Sequence, residues 1–172
     1  MNWFVLGVFS VGVLLVILFA KPKNHAYYRS VAEKVHMLFL DGSLSGGRGL
    51  AYLRKVDPYV FEELVLDAFE QNGYKVKRNE RYSGDGGIDG RVSHGRSEYC
   101  LQCKRYKRHI RYEHVEAFSK LCSLRGVRGF FVHTGKTGRK VRQALHSFGN
   151  VTVISGEKLC ELLSADGDCS VV

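Results

Sequence analysis

Ile88-Asp89-Gly90-Arg91-Val92-Ser93-His94-Gly95-Arg96-Ser97-Glu98-Tyr99-Cys100-Leu101-Gln102-Cys103-Lys104 is the stretch on which the fold turns. Two β-like runs, 88–92 and 98–104, flank a turn at Ser93-His94-Gly95-Arg96, which predicts a hairpin. Alternation in the second run sets Cys100, Gln102 and Lys104 on one face and Tyr99, Leu101 and Cys103 on the other. A lysine on a strand among apolar residues is costly to bury without an anionic partner. The hairpin returns Gln102 and Lys104 toward Asp89 only approximately, with an expected offset of several residues. Upstream, Ser83–Gly90 holds three further glycines and Asp85 ahead of Asp89, either a plain loop with Asp at turn positions or a loop built for close backbone approach. An EF-hand calcium loop is excluded, because its spacing and downstream Glu are missing.

Outward from the hairpin the elements alternate. Asp57-Pro58 is a helix start, and Phe61, Leu64, Val65, Ala68 and Phe69 mark its apolar stripe up to Asn72-Gly73. A strand at 74–78 precedes the hairpin. Downstream come a helix over 111–124, a strand over 129–133, a basic helix over 136–148, a strand over 151–154 and a helix over 157–163. This order predicts an α/β fold, a mixed β-sheet flanked by helices. On the 58–72 helix, Glu63, Asp67 and Glu70 form an i, i+4, i+7 stripe expected to face solvent, whereas Glu62 lies with Leu66 and Phe69 nearer the packed face.

The chain has 172 residues and a formal charge of +9, and no charged side chain lies within residues 1–20. From Trp3 to Ala20 the only polar side chain is Ser10, and about 18–20 such residues span a bilayer core. Residues 1–20 are therefore read as a transmembrane helix, anchoring the protein through 3–20. Lys21, Lys23 and Arg29 follow it, so the positive-inside rule predicts a single-pass protein of the inner (cytoplasmic) membrane with its body in the cytoplasm. Residues 21–49 are read as an amphipathic helix and a flexible Gly/Ser-rich connector, 50–165 as the main domain, and 166–172 as a tail. The five cysteines are odd in number and scattered, and need no disulfide framework. Cys100-x-x-Cys103 has redox or zinc spacing, but alternation sends its sulfurs to opposite faces, as small core residues.

Asp89 followed by Gln102-x-Lys104 on the next strand resembles the D…(D/E/Q)-x-K site of the PD-(D/E)xK nucleases, and more narrowly their Mrr-like branch, the type IV restriction endonuclease domain. The likeness extends to Phe61–Val65, Asn72–Val76, Ser83–Asp89, Gln102–Tyr106, Val132–Gly135 and Val151–Leu163, covering about 50–165 in order. Two departures stand out: Gly90 where an apolar residue is usual, and His133-Thr134 where a Thr pair is usual. The resemblance implies a restriction-endonuclease-like fold and a DNA endonuclease using Mg²⁺ or Mn²⁺. Asp89 and Gln102 would be metal ligands and Lys104 would orient water or stabilise charge. Its F-E pair, matched by Phe61-Glu62, adds Glu62 as a catalytic carboxylate. Asp85, Gly86 and Gly87 would support the loop.

Lys104 to Arg111 holds five basic residues in eight positions. Arg105, Lys107, Arg108 and Arg111, with Lys136, Arg139 and Lys140 of the later helix, are the candidate contacts to double-stranded DNA. A solubilising face or an anionic-lipid patch is the alternative. Cutting both strands needs two active sites, hence a homodimer as an expectation. The competing function is a catalytically weak module that tethers DNA to the membrane.

Overall fold

The computed structural model describes residues 25–80 and 86–164. The elements are α1 (His25–Leu40), α2 (Gly46–Leu53), α3 (Pro58–Gln71), β1 (Lys75–Arg78), β2 (Gly90–His94), β3 (Ser97–Lys104), α4 (Tyr112–Leu124), β4 (Arg128–His133), α5 (Arg139–Phe148), β5 (Val151–Ser155) and α6 (Glu157–Ser164). The strands form one sheet in the order β1-β2-β3-β4-β5. β2 pairs antiparallel with both β1 and β3, and β3, β4 and β5 run parallel. The predicted mixed sheet flanked by helices is the observed one.

Strand alternation builds two cores. Tyr99, Leu101 and Cys103 of β3, with Phe130 and Val132 of β4, pack under α1, α3 and α6. Cys100 of β3 and Phe131 of β4 face Val115, Phe118 and Cys122 of α4 and Val141 of α5. The two sulfurs of Cys100-x-x-Cys103 therefore lie in different cores, and both residues are buried free thiols. Phe130 anchors the first core, its ring stacked on Tyr99 at 4.8 Å and tilted against Phe69 at 5.0 Å between centroids. Truncating a buried aromatic of this kind costs about 3–5 kcal/mol.

α3 starts where its sequence signals place it: the Asp57 side chain accepts the Tyr59 N–H at 2.8 Å, with Pro58 first in the helix. Gly90, the departure from the usual apolar residue, has a packing reason. A Cβ there would meet Leu66 Cδ2 at 2.7 Å, so the missing side chain lets α3 lie close on β2.

Three expectations need correction. The Gly/Ser-rich stretch 41–49 is not a flexible break: it turns after α1 and enters α2 at Gly46. Gly49 sits against Phe39, where a Cβ would meet the ring at 2.7 Å, so close packing rather than looseness calls for the glycine. The acidic stripe of α3 faces solvent only at Glu70; Glu63 and Asp67 are buried, because α1 packs along that side of α3. Lys136 precedes the basic helix, which begins at Arg139. The apolar run 3–20, the loop residues 81–85 with Asp85, and the tail 166–172 lie outside the described residues. Among the described residues, no helix is long and apolar enough to cross a membrane.

Candidate active site and nucleic-acid interface

The hairpin turn fixes the register. His94 pairs with Ser97, so Gly95-Arg96 alone make the loop, with Gly95 at φ 59. No described non-glycine residue has positive φ, which is the two-residue pattern with glycine first. Gly90 then faces Leu101. Asp89 donates its N–H to the Leu101 carbonyl at 2.8 Å, and its Oδ2 accepts the Cys103 N–H at 2.7 Å. The expected offset of several residues does not occur: the Asp89 carboxylate is hooked onto the backbone between Gln102 and Lys104.

Gln102 is buried, and its Nε2 donates to the Gly87 carbonyl. With the amide nitrogen so committed, Oε1 is the atom that a cation would meet. Gly87 has φ 90 and would place a Cβ 2.7 Å from that Nε2, so both conformation and space require glycine here. Lys104 ends β3, half-buried beside His133 of β4. Glu62 of α3 is half-buried and opens, with Asp89, on one small pocket. Burial first, and the Asp89 charge next, push the Glu62 carboxyl up to about 8, against the pull of Lys104. The structure thus brings Asp89, Gln102, Lys104 and Glu62 to one end of the β2–β3 hairpin.

Sequence reasoning missed several residues around this pocket. Asn79 donates to the Ile88 carbonyl at 2.6 Å, pinning the end of β1 to the residue before Asp89. Arg78 donates Nε to Glu63 at 3.1 Å, and Nη2 to Asp67 and to Glu70, the last at 2.9 Å. Asp67 Oδ2 is buried with no hydrogen-bond partner, and burial holds this carboxyl above its ordinary range in spite of Arg78. The available signal was the stripe itself, since acids on a face that another helix covers, as Glu63 and Asp67 are, require a counter-cation.

The basic segments 104–111 and 134–140, distant in sequence, are clipped together. The Tyr106 N–H donates to Thr134 Oγ1, and that hydroxyl donates back to the Tyr106 carbonyl, both at 3.0 Å. The Lys136 N–H reaches the Arg108 carbonyl at 2.9 Å, and the Ile110 N–H the Lys136 carbonyl at 3.1 Å. Lys107, Arg108, Arg111, Lys136, Arg139 and Lys140 are exposed beside this seam. Lys140 also lies 4.3 Å from the Tyr112 ring centroid. Arg105 is placed differently: its Nη1 donates to the Arg54 carbonyl at 3.2 Å, and its Nε is buried without a partner. It supports the chain from within rather than standing with the exposed cations. His133 is buried, accepts the Gly135 N–H at Nδ1 and meets Thr137 Oγ1 at Nε2, and burial pulls it down to about 4.

The donor set fits a hard divalent cation. Two carboxylates, one of them pushed up by burial and by the other's charge, supply the negative oxygens that such an ion relieves, and the Gln102 amide adds a neutral one. Among the described residues, no three of His, Cys, Asp and Glu are grouped so as to hold a metal by themselves. Water and phosphate would have to fill the shell.

A mixed sheet carrying D…Q-x-K at a hairpin mouth defines a restriction-endonuclease-like protein. The profile of the restriction endonuclease family with the Mrr catalytic domain matches residues 53–163, well over half of the chain, and the chain belongs to that family. Nucleases of the PD-(D/E)xK type generally use divalent metal ions. The solved structure of the MspJI restriction endonuclease in complex with a 27-mer oligonucleotide is similar at 23% identity and a TM-score of 0.47. That match covers 83% of this chain and 32% of that one, so the chain spans about a third of that protein's length. No curated protein matched the sequence.

Proposed function

We propose that this protein is a divalent-metal-dependent DNA endonuclease, held at the cytoplasmic membrane by residues 3–20. The observation that carries the reading is the hook of Asp89 on the Cys103 N–H, which sets one carboxylate between Gln102 and Lys104 with Glu62 across the pocket.

Asp89, Gln102 through Oε1, and Glu62 would hold the ion, which when bound activates water and offsets charge on the scissile phosphate. The half-buried Lys104 ammonium orients the attacking water and stabilises the charge that develops on phosphorus oxygens. The clipped basic surface takes the flanking phosphates, a contact that weakens with salt. Cutting both strands would require two copies of the chain. Gln102, a neutral ligand in place of an acid, favours the second reading of a slow or inactive DNA tether.

The test uses the full chain in detergent micelles with supercoiled plasmid, unmethylated or heavily methylated, and Mg²⁺, Mn²⁺ or EDTA. Metal-dependent nicking should fall by about 10²–10³ in Lys104→Ala, as when one electrostatic stabiliser is lost. It should vanish in Asp89→Asn, with DNA affinity retained in both. Asp89→Asn cutting at the parental rate would sink the assignment. Salt-sensitive binding without any cleavage would leave the tether.

A further inference from the structure

α1 (His25–Leu40) lies before the family-matched segment 53–163, yet its first residue stands on the wall of the pocket that Glu62 and Asp89 share. His25 Nδ1 is 3.5 Å from Oε1 of Glu63, the neighbour of Glu62. Glu63 is itself buried and held by Arg78 at 3.1 Å, so the carboxylate that orients the imidazole is fixed. A histidine with one ring nitrogen on a fixed carboxylate is the arrangement that sets tautomer and ring direction beside a metal.

We propose that His25 is a positioning residue of the cation site, supplied from outside the family domain. It orders water in the shell of the ion bound by Asp89 and Glu62, from the wall of the pocket they share. The geometry requires action through water, since His25, Glu62 and Asp89 do not converge tightly enough to enclose an ion. The proposal rests on the metal-dependent reading above.

The experiment is Mn²⁺ binding by electron paramagnetic resonance, on the full chain in micelles and without a polyhistidine tag. It compares the parent, His25→Ala, His25→Gln and Asp89→Asn, with DNA affinity measured in parallel without metal. Loss of an outer-shell partner weakens metal affinity by about tenfold, which is the expectation for His25→Ala. His25→Gln, which keeps a hydrogen-bonding group, should recover part of it. DNA affinity should not change. Unchanged Mn²⁺ affinity in His25→Ala, with binding lost in Asp89→Asn, overturns the role of His25 alone. Unchanged Mn²⁺ affinity in both variants overturns the metal site itself.

Discussion

Arg78 is the position where this fold is most exposed to a single change. It has a 20% exposed side chain and, besides the exposed Glu70, serves two buried carboxylates, Glu63 and Asp67, whose own side chains are 3% and 9% exposed. Arg78→Met keeps the aliphatic stem and removes the guanidinium, leaving two acids under α1 with no equivalent cation. Stranding a buried ionic partner costs about 3–5 kcal/mol. Arg29, 4.0 Å from Asp67 and half-exposed, and His25 can compensate only in part, so about 3 kcal/mol is the working value. That is a large share of an ordinary stability of about 5–15 kcal/mol. Urea unfolding of the full chain in micelles, followed by circular dichroism, measures it. The pH dependence supplies a second check. Burial already holds the Asp67 carboxyl above its ordinary range, and removing Arg78 removes the pull against it, so the folded variant binds more protons than the unfolded chain and its stability is lost as pH rises above the ordinary carboxylate range. Asp67→Asn combined with Glu63→Gln in the Arg78→Met chain should recover most of the loss. A loss under about 1 kcal/mol, or no recovery, would refute the view that the acids of α3 are buried and paired.

Other consequences can be measured separately. In Gly135→Ala, the new Cβ would fall 2.4 Å from the Arg108 carbonyl and force the two basic segments apart. DNA affinity by fluorescence anisotropy should fall by about tenfold with a shallower salt slope, as one or two phosphate contacts are lost. Gly87→Ala combines positive φ with a contact to Gln102 Nε2, so it should cost about 1–2 kcal/mol of stability and weaken Mn²⁺ binding. His133 titrates at about 4 in the folded chain, below its unfolded value, so the unfolded chain binds more protons between about 4 and 6.5. Stability should fall as pH drops through that window, by about 3 kcal/mol in total, relative to His133→Thr. Identical pH–stability curves for the two chains would contradict this account of His133.

What the sequence made legible were features set by local rules. The Asp57-Pro58 start, the hairpin around Gly95 and the alternation that splits Cys100 from Cys103 depend on neighbours within a few residues. The site could be read as far as its residues lay on one strand, as Gln102 and Lys104 do. What escaped depended on long-range packing. Asp89 meets β3 through a register set at the far end of the hairpin. Glu63 and Asp67 looked solvated because nothing local announces that α1 will cover them. The stretch 41–49 looked like a linker because glycine chosen for close approach to Phe39, as at Gly49, has the same letter as glycine chosen for freedom. Arg105 looked like its basic neighbours, although its guanidinium turns inward to the Arg54 carbonyl.

The seam between Tyr106–Ile110 and Thr134–Lys136 has a consequence for how quickly a duplex can be engaged. Four hydrogen bonds hold the two segments together before any nucleic acid arrives. Little loop ordering is left to occur on contact, so less of the interaction energy is consumed by lost conformational freedom. Charge placed on a preformed surface also acts at long range on an approaching polyanion. Screening by salt should therefore slow arrival more than it hastens departure, and the surface works as a landing strip already in shape.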